Sequence, residues 1–162
     1  MSTATLPNIK DLTINRLNAN VEQYIKDMSF IPDDKLGVVP MGCARPVLEF
    51  TAEVIGFNMF VAMALRGEPM PNMSDEDKAA FYSSVDSRAK AEKMLTDGVS
   101  EIITAFEKLS ETELMEEVTL YWGAVETKFN IANMAAGHMG YHDGQLNYIQ
   151  SLFGDGANHW GE

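Results

Sequence analysis

The chain has 162 residues, of which 46% are hydrophobic and 22% are charged. This length and composition are typical of one globular domain with a buried core, and they exclude a disordered or low-complexity chain. The formal net charge is −12, from 24 acidic and 12 basic residues. Such an acid excess repels phosphate backbones and anionic headgroups, so we expect neither nucleic acid nor a membrane surface as a partner.

Cysteine content and the N-terminus bear on the compartment. The single cysteine, Cys43, excludes an internal disulfide and fits a reducing compartment. No basic segment followed by an apolar run, as in a secretion signal, opens the chain. The longest apolar stretch, VIGFNMFVAMAL, is interrupted and too short to cross a bilayer. We therefore expect a cytoplasmic protein in which residues 1–162 form a single domain.

Hydrophobic periodicity predicts two long helices in the first half of the chain. Apolar residues recur at helical spacing from about residue 8 to residue 29, and Pro32 ends that pattern. A loop with two prolines and two glycines follows, up to Gly42. The second helix is predicted from near residue 44, with Pro46 tolerated in its first turn, to Gly67.

Two capping boxes mark the helices of the second half. Ser74 and Asp77 predict the start of a helical region that breaks near Ser83 and continues to about residue 109. Ser110 and Glu113 predict a single extra turn. The isolated segment VTLYWG is predicted to be an extended loop rather than a sheet. The last helix is predicted from about residue 127 to residue 153. Four long helices without strand alternation indicate an all-α helical bundle.

Two histidines on the last helix are the first candidates for a functional site. His138 and His142 are four residues apart, so their Cβ atoms lie about 5–6 Å apart on one helical face. On a wheel centred on His138, the same face holds apolar residues, together with Tyr141 and Gln145. Two inward imidazoles need partners away from water, and a shared divalent cation satisfies both of them. A pair of ordinary core histidines is the alternative.

The second helix supplies candidates for a third ligand. Glu53 lies on an aromatic stripe of that helix, where an ionised carboxylate is costly unless it is paired or bound to a cation. Glu49, one turn earlier, is the competing ligand. A salt bridge from Glu53 to Arg45 or Arg88 is the alternative without metal. Two helices that face each other across a bundle are a common place for such sites.

Two histidines and one carboxylate leave coordination positions open, as in catalytic metal sites. The donor set suits Zn, Ni or Fe(II), and affinity order does not choose among them. Position 139 is Met, so the HExxH pattern of zinc peptidases is absent.

The run HMGYHDGQLNYIQSLFG resembles the C-terminal signature of the DinB-like superfamily, named for DNA-damage-inducible bacterial proteins. The matching positions are His138, His142, Gly144, Gln145, Leu146 and Tyr148. The run ARPVLEFTAEVIGFNMFVAMALRG is similar to the second helix of that family. Together with helix order and length, the resemblance covers most of the chain.

This resemblance implies an up-down-down-up four-helix bundle. A divalent metal would be held by one residue of the second helix and by the two histidines of the last helix. Glu53 stands where the family usually has a histidine, which lowers the charge of the site by one. Members of the family include thiol-dependent transferases and isomerases, metal-dependent hydrolases and proteins without known activity. The resemblance also suggests a homodimer.

Several other residues are candidates for supporting roles. Tyr141 and Gln145 are predicted to face inward, either toward a bound ligand or as supports for the histidines. His159 in the tail would reach the metal only if the tail folds back. Gly137, Gly140 and Gly144 project away from His138 and favour close approach of another helix or subunit.

Three functions follow from these patterns. The leading hypothesis is a metal-dependent transferase or hydrolase that activates a thiol or water and acts on a small molecule. The alternative is a non-catalytic bundle in which Glu53 and the histidines form a hydrogen-bonded network or a structural metal site. An iron-dependent oxygenase ranks last, because no inward arginine marks a site for an oxoacid cosubstrate.

Overall fold

The computed structural model describes residues 8–69 and 71–159. Within these residues the long helices are α1 (Ile9–Ser29), α2 (Val47–Arg66), α4 (Arg88–Lys108) and α6 (Lys128–Leu152). The shorter elements are a 3₁₀ turn (Asp33–Lys35), α3 (Asp75–Ser84), α5 (Glu111–Leu114), β1 (Glu117–Thr119) and β2 (Val125–Thr127). The predicted all-α bundle is confirmed, including the break between α3 and α4 and the single turn α5.

Local sequence sets the helix boundaries. Asn8, Ser74 and Ser110 each form a capping box at the start of α1, α3 and α5. In each box the side chain of the cap satisfies a backbone N–H that has no partner inside the helix. The Thr127 hydroxyl accepts a hydrogen bond from the backbone of Asn130 and begins α6 in the same way. The capping boxes predicted from Ser74 and Ser110 are therefore confirmed.

The four long helices surround one core. α2 packs mainly against α4 and α6, and α1 packs mainly against the same two helices. α1 and α2 therefore occupy opposite corners of the bundle, as do α4 and α6. Tyr24 of α1 and Thr51 of α2 are both buried and share a hydrogen bond of 2.9 Å across the centre. This arrangement places α6 between α1 and α2, so that it offers side chains to both.

α2 is the most apolar of these helices. Val47–Arg66 is long and apolar enough, by length and composition, to cross a membrane. The same helix packs between α4 and α6, and 12 of its 20 residues are buried. This central position explains the apolar character of α2, because a helix surrounded by others is hydrophobic on most of its faces.

The segment predicted as an extended loop is one arm of a small antiparallel hairpin. Glu117–Thr119 pairs with Val125–Thr127. The Leu120 backbone N–H donates to the Ala124 carbonyl at 2.8 Å, and Gly123 adopts a φ of +90° that favours glycine in the turn. The prediction of a loop was wrong, because the three-residue partner strand is too short to show alternation and directly precedes α6.

Candidate metal centre

α2 and α6 bring three side chains together between them. Glu53 Oε1 lies 3.4 Å from His138 Nε2 and 3.6 Å from His142 Nε2. The two Nε2 atoms are 3.1 Å apart. We call Glu53, His138 and His142 the triad. Among the described residues, these three form the group of histidine, cysteine and acidic side chains that could hold a metal ion.

The triad fits the coordination geometry of a divalent metal. Bond lengths near 2.0–2.1 Å put neighbouring donors about 3.3 Å apart in a tetrahedral site and about 3.0 Å apart in an octahedral one. The three donor separations of 3.1, 3.4 and 3.6 Å fall close to these values. Two neutral imidazoles and one carboxylate are a donor set that Zn, Ni and Fe(II) accept.

His142 is held firmly in place. It is 1% exposed, and its ring stacks on Phe50 of α2 with ring centroids 5.4 Å apart. Its Nδ1 lies 2.8 Å from the side-chain oxygen of Gln145. An amide oxygen accepts, so Nδ1 carries the proton and the Nε2 lone pair points toward the triad. Gln145 therefore orients the His142 ring, and its predicted role as a support for a metal ligand stays a prediction.

His138 lies at the edge of the site. Its ring packs against Phe57 with centroids 4.8 Å apart and meets the His142 ring edge to face. Burial lowers the pKa of His138, and the neighbouring His142 lowers it further. Burial also lowers the pKa of His142. Both rings are therefore neutral at physiological pH, which is the state that binds a metal.

Glu53 has a second partner in Arg45. The Arg45 guanidinium donates to Glu53 Oε2, while Oε1 faces the histidines. Burial alone would raise the pKa of Glu53, but the hydrogen bond and charge of Arg45 hold it below its usual value. The salt bridge considered as an alternative is thus present, with Arg45 and not Arg88. Arg88 instead donates to the backbone of Met28 and to Asp33.

A cavity opens beside the triad. It has a volume of about 280 Å³ and is lined by Glu53, Gly56, Phe57, Phe60, Tyr82, Tyr121, Trp122 and His138. Two of these residues belong to the triad, so the cavity reaches the proposed ligand atoms from the side of α2 and the hairpin. An ion held by the triad would therefore be open to a small molecule on this side.

Two of the predicted site residues lie elsewhere. Glu49 is exposed, and the structure places Glu53 rather than Glu49 beside the histidines. Tyr141 is 64% exposed and touches only the outer side of the His142 ring, with centroids 5.0 Å apart. The prediction that Tyr141 faces inward was wrong. The buried face of α6 is centred about 80° from His138, near Met139 and Leu146, at about 100° per residue.

The tail and the cysteine lie apart from the triad. His159 stacks on Phe30 with centroids 3.7 Å apart and lies 3.0 Å from Asp155. The tail therefore folds back, but onto the end of α1. Cys43 is exposed and lines a separate cavity with Arg45 and Gln145. Gly137, Gly140 and Gly144 have no described atoms within 4 Å of an added Cβ.

A second polar cluster on α6 was missed in the sequence. Asp27 of α1 is 1% exposed and accepts hydrogen bonds from Gln23 at 2.7 Å and from Asn147 at 2.8 Å. Asp143 lies beside it, and burial together with the charge of Asp27 raises the pKa of Asp143 to about 7. The wheel centred on His138 placed Asp143 and Asn147 on the far side. The signal that could have found them is Asp27 on the apolar stripe of α1.

Comparison with known proteins identifies the fold. No protein-family model matches the sequence, and no curated protein matches it significantly. Among solved structures, a mutant of the mycothiol-dependent maleylpyruvate isomerase aligns with a TM-score of 0.71 and 15% identity. That alignment covers 87% of this chain and 61% of the isomerase, so the chain spans about three fifths of the isomerase.

Two further structures match over nearly their whole length. A conserved protein from Enterococcus faecalis aligns with a TM-score of 0.72 and 13% identity, covering 91% of this chain and 98% of the other. A DinB-like protein from Bacillus subtilis aligns with a TM-score of 0.61 and 14% identity, covering 90% and 94%. The resemblance expected from the two motifs is therefore confirmed for the fold: the chain has the DinB-like helical architecture.

Proposed function

We propose that this protein binds a divalent metal through Glu53, His138 and His142 and uses it in transfer or hydrolysis of a small molecule. One observation carries the proposal: three donor atoms from two helices converge within 3.6 Å of one another. An added observation is the cavity that reaches two of the three ligands. When bound, such a metal lowers the pKa of a thiol or water that reaches it.

The remaining site residues have separate tasks. Gln145 holds His142 in the tautomer that presents Nε2 to the triad. Arg45 keeps Glu53 ionised, so that its carboxylate is ready to bind a cation. Phe50 packs on the imidazole of His142, and Phe57 packs on that of His138. The neutral state of both rings leaves their lone pairs available at physiological pH.

A thiol is the co-substrate we favour. The name of one structural neighbour describes a mycothiol-dependent isomerase, which is a property of that protein. The shared fold and the triad support related chemistry here, with either a thiol or water as the activated group. The acidic surface and the single cysteine fit the proposed cytoplasmic location. The exposed glycines of α6 fit the proposed homodimer.

Elemental analysis of purified protein tests this function. After dialysis against a weak chelator, we expect close to one divalent ion per chain, which Glu53→Ala should lose. Glu49→Ala is the matched control, because Glu49 lies one helical turn away on α2 and is exposed. Wild-type protein without bound metal, or a Glu53→Ala variant with full metal content, would contradict the assignment.

A non-catalytic network is the second candidate, and one observation favours it. Arg45 already neutralises Glu53, and Gln145 already satisfies Nδ1 of His142, whereas the buried Nδ1 of His138 has no hydrogen-bond partner among the described residues. Thermal unfolding distinguishes the two candidates. Metal at a hundred times its dissociation constant stabilises a binding protein by about 2.7 kcal/mol. An unchanged melting temperature in Zn, Ni and Fe(II) would favour the network.

A further inference from the structure

A second cavity shares lining residues with the cavity beside the triad. The second cavity has a volume of about 480 Å³ and lies between α2, α3 and the hairpin. Gly56, Phe60 and Tyr121 line both cavities. The two therefore adjoin, and together they form a cleft that starts at Glu53 and runs along α2. We call the two parts the inner cleft and the outer cleft.

Aromatic rings form most of the inner cleft. Phe57 and Phe60 lie on adjacent turns of α2, with ring centroids 5.8 Å apart. Trp122 at the hairpin turn lies 6.4 Å from Phe57 and 6.0 Å from Phe60. Tyr121 meets Phe60 edge to face at 5.3 Å. The hairpin thus contributes two aromatic side chains to the wall of a cavity that opens at the triad.

Apolar, flexible side chains form the outer cleft. Its lining includes three methionines, Met59, Met63 and Met73. Unbranched thioether side chains adapt their shape to different apolar ligands. Several of these residues are exposed although they are apolar: Met59, Met73, Tyr121 and Trp122. Exposed apolar groups gathered in one cleft are typical of a binding site rather than of a random surface.

Gly56 allows close packing of α3 on α2 beside the cleft. A Cβ at this position would lie 3.2 Å from the ring of Phe81, so the glycine lets that ring approach the backbone of α2. Gly56 lines both cavities, and a side chain there would have to displace Phe81, which lines the outer one.

The charges along the cleft point to a neutral, apolar occupant. Arg45 engages Oε2 of Glu53, and Oε1 faces the histidines at the proposed metal position, so with metal bound both carboxylate oxygens are occupied. Lys78, at the outer end, pairs with Asp75 at 3.2 Å. The remaining lining residues of both cavities carry no formal charge, and His138 belongs to the triad. The aromatic rings are therefore placed for an apolar group and not for a cation.

The length of the cleft sets the size of the apolar group that it can hold. Glu53 and Met63 are ten residues apart on α2, which corresponds to about 15 Å along the helix axis. A single small metabolite would fill only the inner part. An elongated hydrocarbon chain or a ring with an alkyl substituent would reach from the triad to the methionines.

We propose that the substrate of this site is elongated and apolar, with a metal-binding head at the triad and a hydrocarbon body in the cleft. The inference rests on the proposed metal-dependent function. It adds the substrate class, because the cleft adjoins the triad, is lined mainly by aromatic and apolar side chains beyond it, and is longer than a small polar metabolite requires.

Alkyl hydroxamates test the proposal on the metal-loaded protein. A hydroxamate head binds a divalent metal directly, and the alkyl chain is varied from acetohydroxamate to decanohydroxamate. Each methylene that enters the cleft should tighten binding by about fourfold, until the chain fills the cleft. Equal dissociation constants for the shortest and the longest hydroxamate would overturn the proposal while leaving the metal site intact.

Two variants locate the alkyl chain. Tyr121→Ser should weaken decanohydroxamate roughly tenfold and leave acetohydroxamate unchanged, because only the long chain touches the hairpin. Tyr121 is 73% exposed, so the substitution does not disturb the core. Tyr148→Ser is the matched control, since Tyr148 is also exposed but lines the separate cavity near Cys43. Equal losses in both variants would contradict binding in the cleft.

A metal-free experiment separates this inference from the proposed function. Protein carrying ¹³C-methyl methionine is stripped of metal and titrated with decanol, which lacks a metal-binding head. The methyl signals of Met59, Met63 and Met73 should shift, whereas the exposed Met115 should not. If these methyl signals shift but the protein does not bind metal, the proposed function is wrong and the apolar cleft is supported. If the methyl signals of Met59, Met63 and Met73 do not shift, the proposal of an apolar cleft is wrong.

Discussion

Consecutive residues of α6 enter two different polar clusters. His142 faces α2 and joins Glu53 and His138, whereas Asp143 lies beside Asp27 of α1. Both clusters bury titratable groups between helices, and both perturb the pKa values of those groups. They differ in what their neighbours supply.

In the acid pair, the protein itself supplies hydrogen-bond donors to Asp27, whereas the buried Oδ1 of Asp143 has no hydrogen-bond partner among the described residues. Amides from Gln23 and Asn147 donate to both oxygens of Asp27. Asp143 keeps its proton up to a pH near 7, which avoids two adjacent buried charges. The triad instead presents three lone-pair donors to one point, and a cavity reaches it. Convergent acceptors beside a cavity indicate binding, and acceptors satisfied by amides indicate structure.

The largest expected difference between the clusters concerns metal content. His142→Ala removes one of three ligands and should abolish stoichiometric metal binding. Asp143→Asn, one residue further along α6, should retain it in full, because Asp143 lies beside Asp27 of α1 and not in the triad. Isothermal titration with Zn and Ni after chelation measures both. Comparable loss in the two variants would show that the clusters do not act separately.

Gln145→Ala should weaken metal binding about 10–100-fold without abolishing it. The amide of Gln145 fixes the His142 ring and its tautomer but contacts no ion itself. Competition with a chromophoric chelator measures the change. Asn133→Ala is a suitable control, because its amide donates to a backbone carbonyl of the same helix. An affinity equal to that of wild type would mean that the His142 orientation does not depend on Gln145.

Asp143→Asn should raise stability at pH 8 by about 1 kcal/mol. The folded state raises the pKa of Asp143 to about 7, so it favours the protonated carboxyl. Its contribution is therefore present at acid pH and is lost as the pH rises toward and through 7. Asparagine does not ionise, so the variant does not lose this stability as the pH rises. Urea unfolding at pH 5 and pH 8 measures the free energy of unfolding of both proteins. Exposed Asp86→Asn is the control, and an equal gain there would contradict the account.

The smallest effect is the pH dependence of metal binding. Burial holds the pKa values of His138 and His142 below their usual 6.5, so both remain neutral down to that pH. The affinity for Zn should change by less than about twofold between pH 7.5 and pH 6.5 and fall only below this range. Titration calorimetry over this interval measures the change. A steep loss above pH 6.5 would mean that the histidines are not held neutral.

The sequence predicts the helices well because their signals are local. Capping residues and hydrophobic spacing act within one turn, so α1, α2 and α6 begin and end within a few residues of the prediction. The pairing of β1 with β2 escapes such reasoning, because each strand has three residues and is too short to show alternation. The histidine pair is visible in the sequence because both ligands belong to one helix.

The rest of the site depends on the rotation of α6 within the bundle. A wheel centred on His138 brings Tyr141 inward, whereas the bundle buries Met139 and Leu146 and leaves Tyr141 in solvent. A rotation of this size cannot be read from one helix, since it is set by packing against α1 and α2. The same rotation carries Asp143 to Asp27, which no local pattern on α6 indicates.

The central claim is that the triad holds a divalent ion. Anomalous X-ray diffraction, recorded on crystals of the purified protein on both sides of the absorption edge of the metal found by elemental analysis, tests it most directly. The account predicts one strong peak about 2.0–2.2 Å from Glu53 Oε1 and from Nε2 of His138 and His142. No anomalous peak at this position in metal-replete crystals, with Glu53 still bonded only to Arg45, would contradict it.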